Sequence, residues 1–301
     1  MQRALGTEPG RTTTWLPPGA SHLIDLALEE DLARGDLTTD AVIDDQLRGS
    51  GTIISREAVV VAGVNVAAEV FTRLDPQAEV AISAVDGAEL PAGGEILRVH
   101  GSARGLLRAE RTALNFLQRL SGIATYTQKF VAAVAGTGAR IADTRKTYPG
   151  ARILEKQAVR AGGGSNHRFD LGSGILIKDN HLAVAGSISE AVRRARAAAP
   201  HGLKIELEVD TLDELAQALM VGVDIVLLDN FSDEDVAKAI AKIAGSPKRP
   251  LIEVSGGITL DRVRPLAQLG VDIISVGALT HSAPAVDLSL ELELAKPVDR
   301  R

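Results

Sequence analysis

Residues 204–230 read KIELEVDTLDELAQALMVGVDIVLLDN, and the fold is decided there. Lys204–Val209 and Ile225–Asp229 are short apolar runs, and Leu212–Val221 between them keeps helical spacing. Thr211 and Glu214 have the spacing of a capping box, which starts a helix just after the first run. Strand, helix and strand make a βα unit, and such units build parallel sheets.

The alternation continues outward in both directions. Further strand runs fall at Arg140–Asp143, Ile175–Lys178, Leu251–Ser255 and Ile273–Val276. Helical stretches fall at Ile188–Ala199, Asp233–Ala244 and Leu260–Leu269. The unbroken series favours an α/β barrel over an open sheet, and periodicity alone leaves both standing. Upstream the pattern changes: Thr52–Ser55, Val59–Val61, Val80–Ile82 and Ile96–Val99 read as strands, with a helix over Ala67–Leu74. A first α/β domain is therefore expected over residues 21–120, behind a mobile tail over 1–20. A long helix is expected from Leu106 to Leu120, with Gly122 as its stop. Arg104, Arg108 and Arg111 share one face of it, which on its own reads as a solvated basic face.

Composition narrows the class. The 301 residues are 45% hydrophobic and 24% charged, which is globular and neither fibrous nor disordered. A net charge of −6 argues against general nucleic-acid binding. There are no cysteines, so disulfide scaffolds, thiolate metal sites and cysteine nucleophiles are excluded. No apolar run is long enough for a membrane span, and the first residues lack the apolar core of a signal peptide. A cytoplasmic protein that touches neither membrane nor nucleic acid is expected.

The ends of the strand runs carry the chemistry. Asp143 leads to Arg145 and Lys146, and the later runs end at Lys178, Glu208, Asp229, Ser255-Gly256-Gly257 and Gly277. In a βα barrel those ends form one rim, where catalytic groups gather. Residues 140–180 hold eight Lys and Arg against four Asp and Glu, a local balance of +4 within a chain of −6. Clustered cations repel one another and so call for an anion. Most of Arg152, Lys156 and Arg160 fit a wet helix face; Arg145, Lys146, Arg168 and Lys178 flank glycines or strand ends instead. Arg168 can bind a carboxylate bidentately, and His167 adds a donor. The Ser255-Gly256-Gly257 turn and Gly277, at the last two strand ends, suit a phosphate. Glu208 and Asp229 either hold Mg2+ through water, face a developing positive charge, or pair with Lys146 or Lys178.

Ordered motifs run through nearly the whole chain, from about Ala27 to Leu292. They include Gly35-Asp-Leu-Thr-Thr39, Glu110-Arg111-Thr-Ala-Leu-Asn115, Asp143-Thr-Arg-Lys-Thr147, Gly162-Gly-Gly164 with Asn166-His-Arg168, and Ile177-Lys-Asp-Asn-His181. Glu206-Leu-Glu-Val-Asp210, Leu228-Asp-Asn-Phe231, Ser255-Gly-Gly-Ile-Thr259 and Ser275-Val-Gly-Ala-Leu-Thr-His281 complete the series. With them the sequence resembles the quinolinate phosphoribosyltransferase family. The resemblance implies an N-terminal α/β sandwich domain plus an open, incomplete α/β barrel over 121–283. It also implies a C-terminal helix over 284–301 that packs back on the first domain.

The implied reaction moves the phosphoribosyl group of phosphoribosyl pyrophosphate to quinolinate. Pyrophosphate and CO2 leave, and nicotinate mononucleotide forms on the de novo route to NAD. Arg145, His167, Arg168 and Lys178 resemble the quinolinate site, completed by Arg111 from the partner subunit of a homodimer or a higher assembly. Lys146, Lys178, Glu208, Asp229, Ser255, Gly256, Gly257 and Gly277 resemble the phosphoribosyl pyrophosphate site. Lys146, Glu208 and Asp229 take the catalytic roles, and the two acids hold Mg2+ through water and pyrophosphate. Tyr148, Ala161 and Phe169-Asp170 depart from the family pattern, and none of them removes a charged site residue. Three rival readings are a molybdenum-linked relative of the same fold, a Schiff-base aldolase using Lys178, and a nucleotide sensor. The intact Arg145, His167, Arg168 and Lys178 set favours the transferase.

Overall fold

The structure, a computed structural model, describes residues 16–294. The first elements are α1 (Ala20–Leu32), α2 (Leu37–Val42), β1 (Arg48–Ser55), β2 (Val59–Val60), α3 (Val64–Leu74), β3 (Glu79–Ile82), β4 (Glu89–Leu90), β5 (Glu95–Ser102) and α4 (Ala103–Ala133). Next come β6 (Arg140–Ala142), α5 (Arg152–Ala161), β7 (Ile175–Ile177), α6 (Asp179–Ala185), α7 (Ile188–Ala198), β8 (Ile205–Val209) and α8 (Leu212–Val221). The chain finishes with β9 (Ile225–Asp229), α9 (Asp233–Ala244), β10 (Leu251–Ser255), α10 (Leu260–Gln268), β11 (Ile273–Ser275), α11 (Ala278–His281) and β12 (Leu288–Leu294).

Two compact units result. The first gathers the described residues up to Thr125, Pro149–Ala161 and those from Ala283 onward. Its antiparallel sheet has the order β12-β1-β5-β3, with a separate β2-β4 ladder. Period-two alternation in β1 buries Gly49, Gly51, Ile53 and Ser55. Helix α3 turns Val66, Ala67, Val70 and Phe71 inward and packs on β3 and β5. Each such large aliphatic or aromatic side chain contributes roughly 1.5–3 kcal/mol on burial.

Three expectations change in this unit. Helix α4 does not stop at Gly122 but runs on to Ala133. A Cβ on Gly122 would lie 2.1 Å from the Pro284 carbonyl oxygen, so the glycine permits a close chain approach instead of ending the helix. Among the described residues the expected C-terminal helix does not form. Residues 288–294 form β12, paired antiparallel with β1 from Ser55↔Leu288 to Gly49↔Leu294. The strict alternation of Leu288-Ser-Leu-Glu-Leu-Glu-Leu294 is a strand signal. The rest of that expected helix, and residues 1–15 of the expected tail, lie outside the described residues. Finally, α5 belongs to the first unit, so the barrel segment is not continuous over 121–283. Glu155 of α5 is buried and accepts from Arg119 Nη2 at 2.9 Å. Lys156 is buried as well and does not belong to a wet face.

The second unit comprises Tyr126–Tyr148 and Gly162–Ser282. Its six strands are all parallel, in the order β6-β11-β10-β9-β8-β7. Among the described residues no ladder joins β7 to β6, so the barrel is open. Ser187, Thr211 and Ser232 cap α7, α8 and α9 by accepting a backbone N–H three residues on. Glu214 also reaches back to the Asp210 N–H at 2.8 Å, much as the capping-box spacing predicts. Leu207, Val209, Val226, Leu228, Ile252, Val254 and Ile274 are buried along the strands, under Leu215, Val236, Ala239 and Val263 of the helices.

Candidate active site

Strand register decides which side chains meet. Leu176 pairs with Glu206, Glu208 with Leu227, Leu227 with Glu253, and Asp229 with Ser255. Partners in register share a face, as do residues two apart. Glu206, Glu208, Asp229, Glu253, Ser255 and Ser275 therefore lie on one face of the sheet, with Lys178 just beyond the end of β7. In β8 the two acids alternate with Ile205, Leu207 and Val209, which occupy the opposite face.

At the carboxyl ends of β7 and β8, Lys178 Nζ pairs with Glu208 Oε2. One of the alternatives left open by the sequence is thus realised. Asp229 is bound instead by Asn230, whose Nδ2 donates to Oδ2 at 2.6 Å. Asn230 takes a left-handed φ of +55°, a conformation that Asn tolerates better than most residues. Beside them, Asp210 is pushed above the ordinary carboxylate range by burial, then by the charges of Glu214, Asp229 and Asp179. This edge of the rim carries more negative charge than its own cations neutralise.

Cations stand beside these acids. Arg168 is lowered from its ordinary value first by burial and then by the like charge of Arg145, while Glu206 and Glu208 oppose the shift. The guanidinium stays protonated and feels a second cation at the rim. Arg168 Nη1 donates to the Gly174 carbonyl at 3.2 Å. The Asn166–Arg168 segment hangs from Asp143, the buried residue that follows β6. Its carboxylate accepts from the His167 N–H at 2.8 Å and from Asn166 Nδ2 at 2.6 Å.

Two glycine turns close the rim. Gly256 has φ +87°, and a Cβ there would lie 2.2 Å from Asn230 Oδ1, so only glycine fits beside the Asp229–Asn230 turn. Arg262 of α10 donates to the Gly256 carbonyl at 3.2 Å and braces this loop. At Gly277 a Cβ would stand 2.9 Å from Lys146 Cδ and 3.3 Å from His281 Nε2. The Lys146 side chain therefore crosses this turn, and Thr280 Oγ1 holds the Lys146 carbonyl at 2.7 Å. The sequence marks Ser255, Gly256, Gly257 and Gly277 for a phosphate and the family resemblance adds Lys146, whereas neither assigns a role to His281 or Arg262.

Below the rim, His167 Nε2 lies 3.2 Å from Glu206 Oε2 and 3.5 Å from Glu253 Oε1. Among the described residues this is the one set of three ligating groups within 4.8 Å of one another, and it does not include Glu208 or Asp229. An imidazole among its donors suits transition metals better than Mg2+, which takes oxygen ligands. The acid-rich edge holding Glu208, Asp210 and Asp229 is the better match for Mg2+. Burial pushes Glu253 up to about 7, and the Glu206 charge adds to the effect.

Arg111 belongs to the first unit, on α4. Arg104 donates to the Ile43 carbonyl at 2.6 Å, and Arg108 pairs with Asp40. Arg111 is exposed and makes no ion pair or hydrogen bond within the described residues. The basic face thus divides into two arginines bonded within the first unit and one without such a bond among the described residues.

Sequence models of the quinolinate phosphoribosyl transferase family match both parts of the chain, the N-terminal domain over residues 36–121 and the C-terminal domain over 123–291. The chain belongs to the quinolinate phosphoribosyl transferase family. Among curated relatives, this family member is 45% identical over 276 residues to the carboxylating nicotinate-nucleotide pyrophosphorylase of Mycobacterium leprae, covering 91% of this chain and 97% of that one. It is 42% identical over 266 residues to a probable carboxylating nicotinate-nucleotide pyrophosphorylase of Bacillus subtilis, covering 88% and 91%. The crystal structure of NadC from Streptococcus pyogenes is similar at a TM-score of 0.88 and 41% identity, over 94% of this chain and all of that one. The transferase fold accordingly joins an N-terminal α/β domain to an open α/β barrel.

Proposed function

We propose that Arg145, Arg168 and Lys178 of the second unit bind quinolinate, and that Lys146 with the glycine turns binds phosphoribosyl pyrophosphate. His167 belongs to the same quinolinate pocket. The reaction is transfer of the phosphoribosyl group to the ring nitrogen of quinolinate, with loss of pyrophosphate and CO2, to give nicotinate mononucleotide in NAD biosynthesis. The observation that carries the residue assignment is the placement of Arg168, which donates to the Gly174 carbonyl just before β7, beside Lys178 just after that strand, with the Arg145 charge acting on the same guanidinium. Quinolinate, with two adjacent carboxylates, is the kind of anion that stabilises these cations.

Two bonds change in the first step. The quinolinate nitrogen forms a bond to the ribose C1, and the C1–oxygen bond to pyrophosphate breaks. Lys146 stabilises charge on the departing group, while Glu208 and Asp229 face the positive charge that develops on the ribose. The ring nitrogen is then cationic and accepts the electron pair released as the neighbouring carboxylate leaves as CO2; a proton completes the product. Glu208 and Asp229 are the residues that would hold Mg2+, through water. Bound there, Mg2+ neutralises pyrophosphate charge.

The enzyme works as a cytoplasmic homodimer in this reading, each site completed by Arg111 of the partner subunit. The exposed, internally unpartnered Arg111 supports this. Arg111→Ala and Lys178→Ala variants, each inactive alone, should regain activity when their subunits are exchanged. No recovery after confirmed exchange overturns the shared site. Chelation by EDTA should abolish turnover, and added Mg2+ should restore it.

A further inference from the structure

Both ring nitrogens of His167 are committed inside its own unit. The Arg168 backbone N–H donates to Nδ1 at 2.8 Å. A nitrogen that accepts a hydrogen bond presents a lone pair, so Nδ1 carries no proton and the ring proton lies on Nε2. Nε2 faces Glu206 and Glu253, whose side chains are only 8% and 2% exposed. Ser275 Oγ donates to Glu253 from β11, so the carboxylate pair is itself held from a third strand. The His167 main chain is gripped too, by Asp143. Imidazole and backbone are thus fixed from β6, β8 and β10 together.

We propose that His167 is a positioning residue: Glu206 and Glu253 hold its imidazole as the Nε2–H tautomer, and the ring fixes the Arg168 main chain so that the guanidinium is presented to quinolinate. The ring proton points down to the carboxylates, away from any donor role toward the substrate. A charged imidazole would set an Nδ1–H against the Arg168 N–H, donor against donor. The proposal rests on the reading of Arg168 as a quinolinate ligand.

Two measurements on the full chain test it. In 15N spectra of histidine-labelled protein, with His167 assigned by His167→Asn, Nδ1 should resonate as an unprotonated nitrogen and Nε2 as a protonated one. Saturating quinolinate should leave that pattern unchanged. Protonation of Nδ1 in the free or quinolinate-bound protein overturns the proposal. Calorimetry of quinolinate binding to His167→Ala, Arg168→Ala and the double variant supplies the second readout. Loss of His167 should weaken binding about tenfold in the native background and less than about twofold once Arg168 is gone. A further tenfold loss in the Arg168→Ala background makes His167 a direct contact and overturns the proposal. Unchanged quinolinate affinity in Arg168→Ala alone refutes the pocket assignment, and the positioning role falls with it; the nitrogen spectra still report the ring's tautomer separately.

Discussion

Replacing Glu253 by Gln should remove a pH-dependent cost of folding that the native chain carries. The carboxyl is 2% exposed and stays protonated up to about 7, against an ordinary value of 4.5. In the opened chain the same acid ionises near 4.5. Between those two values the native state therefore binds more protons than the opened state, and stability falls as pH rises. The effect is absent below 4.5 and complete above about 7. At ~1.4 kcal/mol per pH unit the interval costs about 3 kcal/mol. Glutamine keeps a carbonyl for the Ser275 hydroxyl and has no proton to lose, so it should escape this cost. The assay is amide exchange at Ile252–Val254 of β10, read as an opening free energy at pH 5 and pH 7.5 after correction for intrinsic rates. The native protein should lose stability across that range, and Glu253→Gln should lose about 2 kcal/mol less. Parallel pH dependences in the two proteins would refute the buried, protonated carboxyl.

Other perturbations separate the roles of individual residues. Gly277→Ala puts a Cβ 2.9 Å from Lys146 Cδ, so the KM for phosphoribosyl pyrophosphate should rise about tenfold while quinolinate affinity holds; steady-state kinetics decide. Gly122→Ala meets the Pro284 carbonyl at 2.1 Å and should cost about 2–3 kcal/mol or more, measured by urea unfolding. Asp40→Asn frees Arg104 and Arg108 and should cost at most about 1 kcal/mol with turnover intact. Arg111→Ala should do the reverse, lowering kcat/KM at least about tenfold with no measurable change in unfolding.

The barrel strands were legible because each is a short apolar run bounded by a helix, and β6 to β11 all fall where periodicity puts them. Rim residues were legible for a related reason: polar groups at the ends of apolar runs stand out. What lies below the rim was harder to see. Glu206 and Glu253 sit within runs that read as plain strand, and nothing local says that their faces converge on His167. That convergence is set by register across β8, β9 and β10, a long-range property. In β8, though, acids alternating with Ile205, Leu207 and Val209 do mark a strand with a polar inner face. The C-terminal strand is written in the alternation of Leu288–Leu294, a pattern at odds with the helix that the family resemblance implies. Gly122 is the opposite case: a glycine in a helix reads as a stop, yet it makes room for Pro284.

The most direct test is turnover. Purified protein is incubated with quinolinate carrying a labelled 2-carboxyl group, phosphoribosyl pyrophosphate and Mg2+. Labelled CO2, pyrophosphate and nicotinate mononucleotide should appear in equal amounts, and nicotinate in place of quinolinate should give nothing. A folded protein that releases no labelled CO2, or that makes the mononucleotide from nicotinate, would contradict the account.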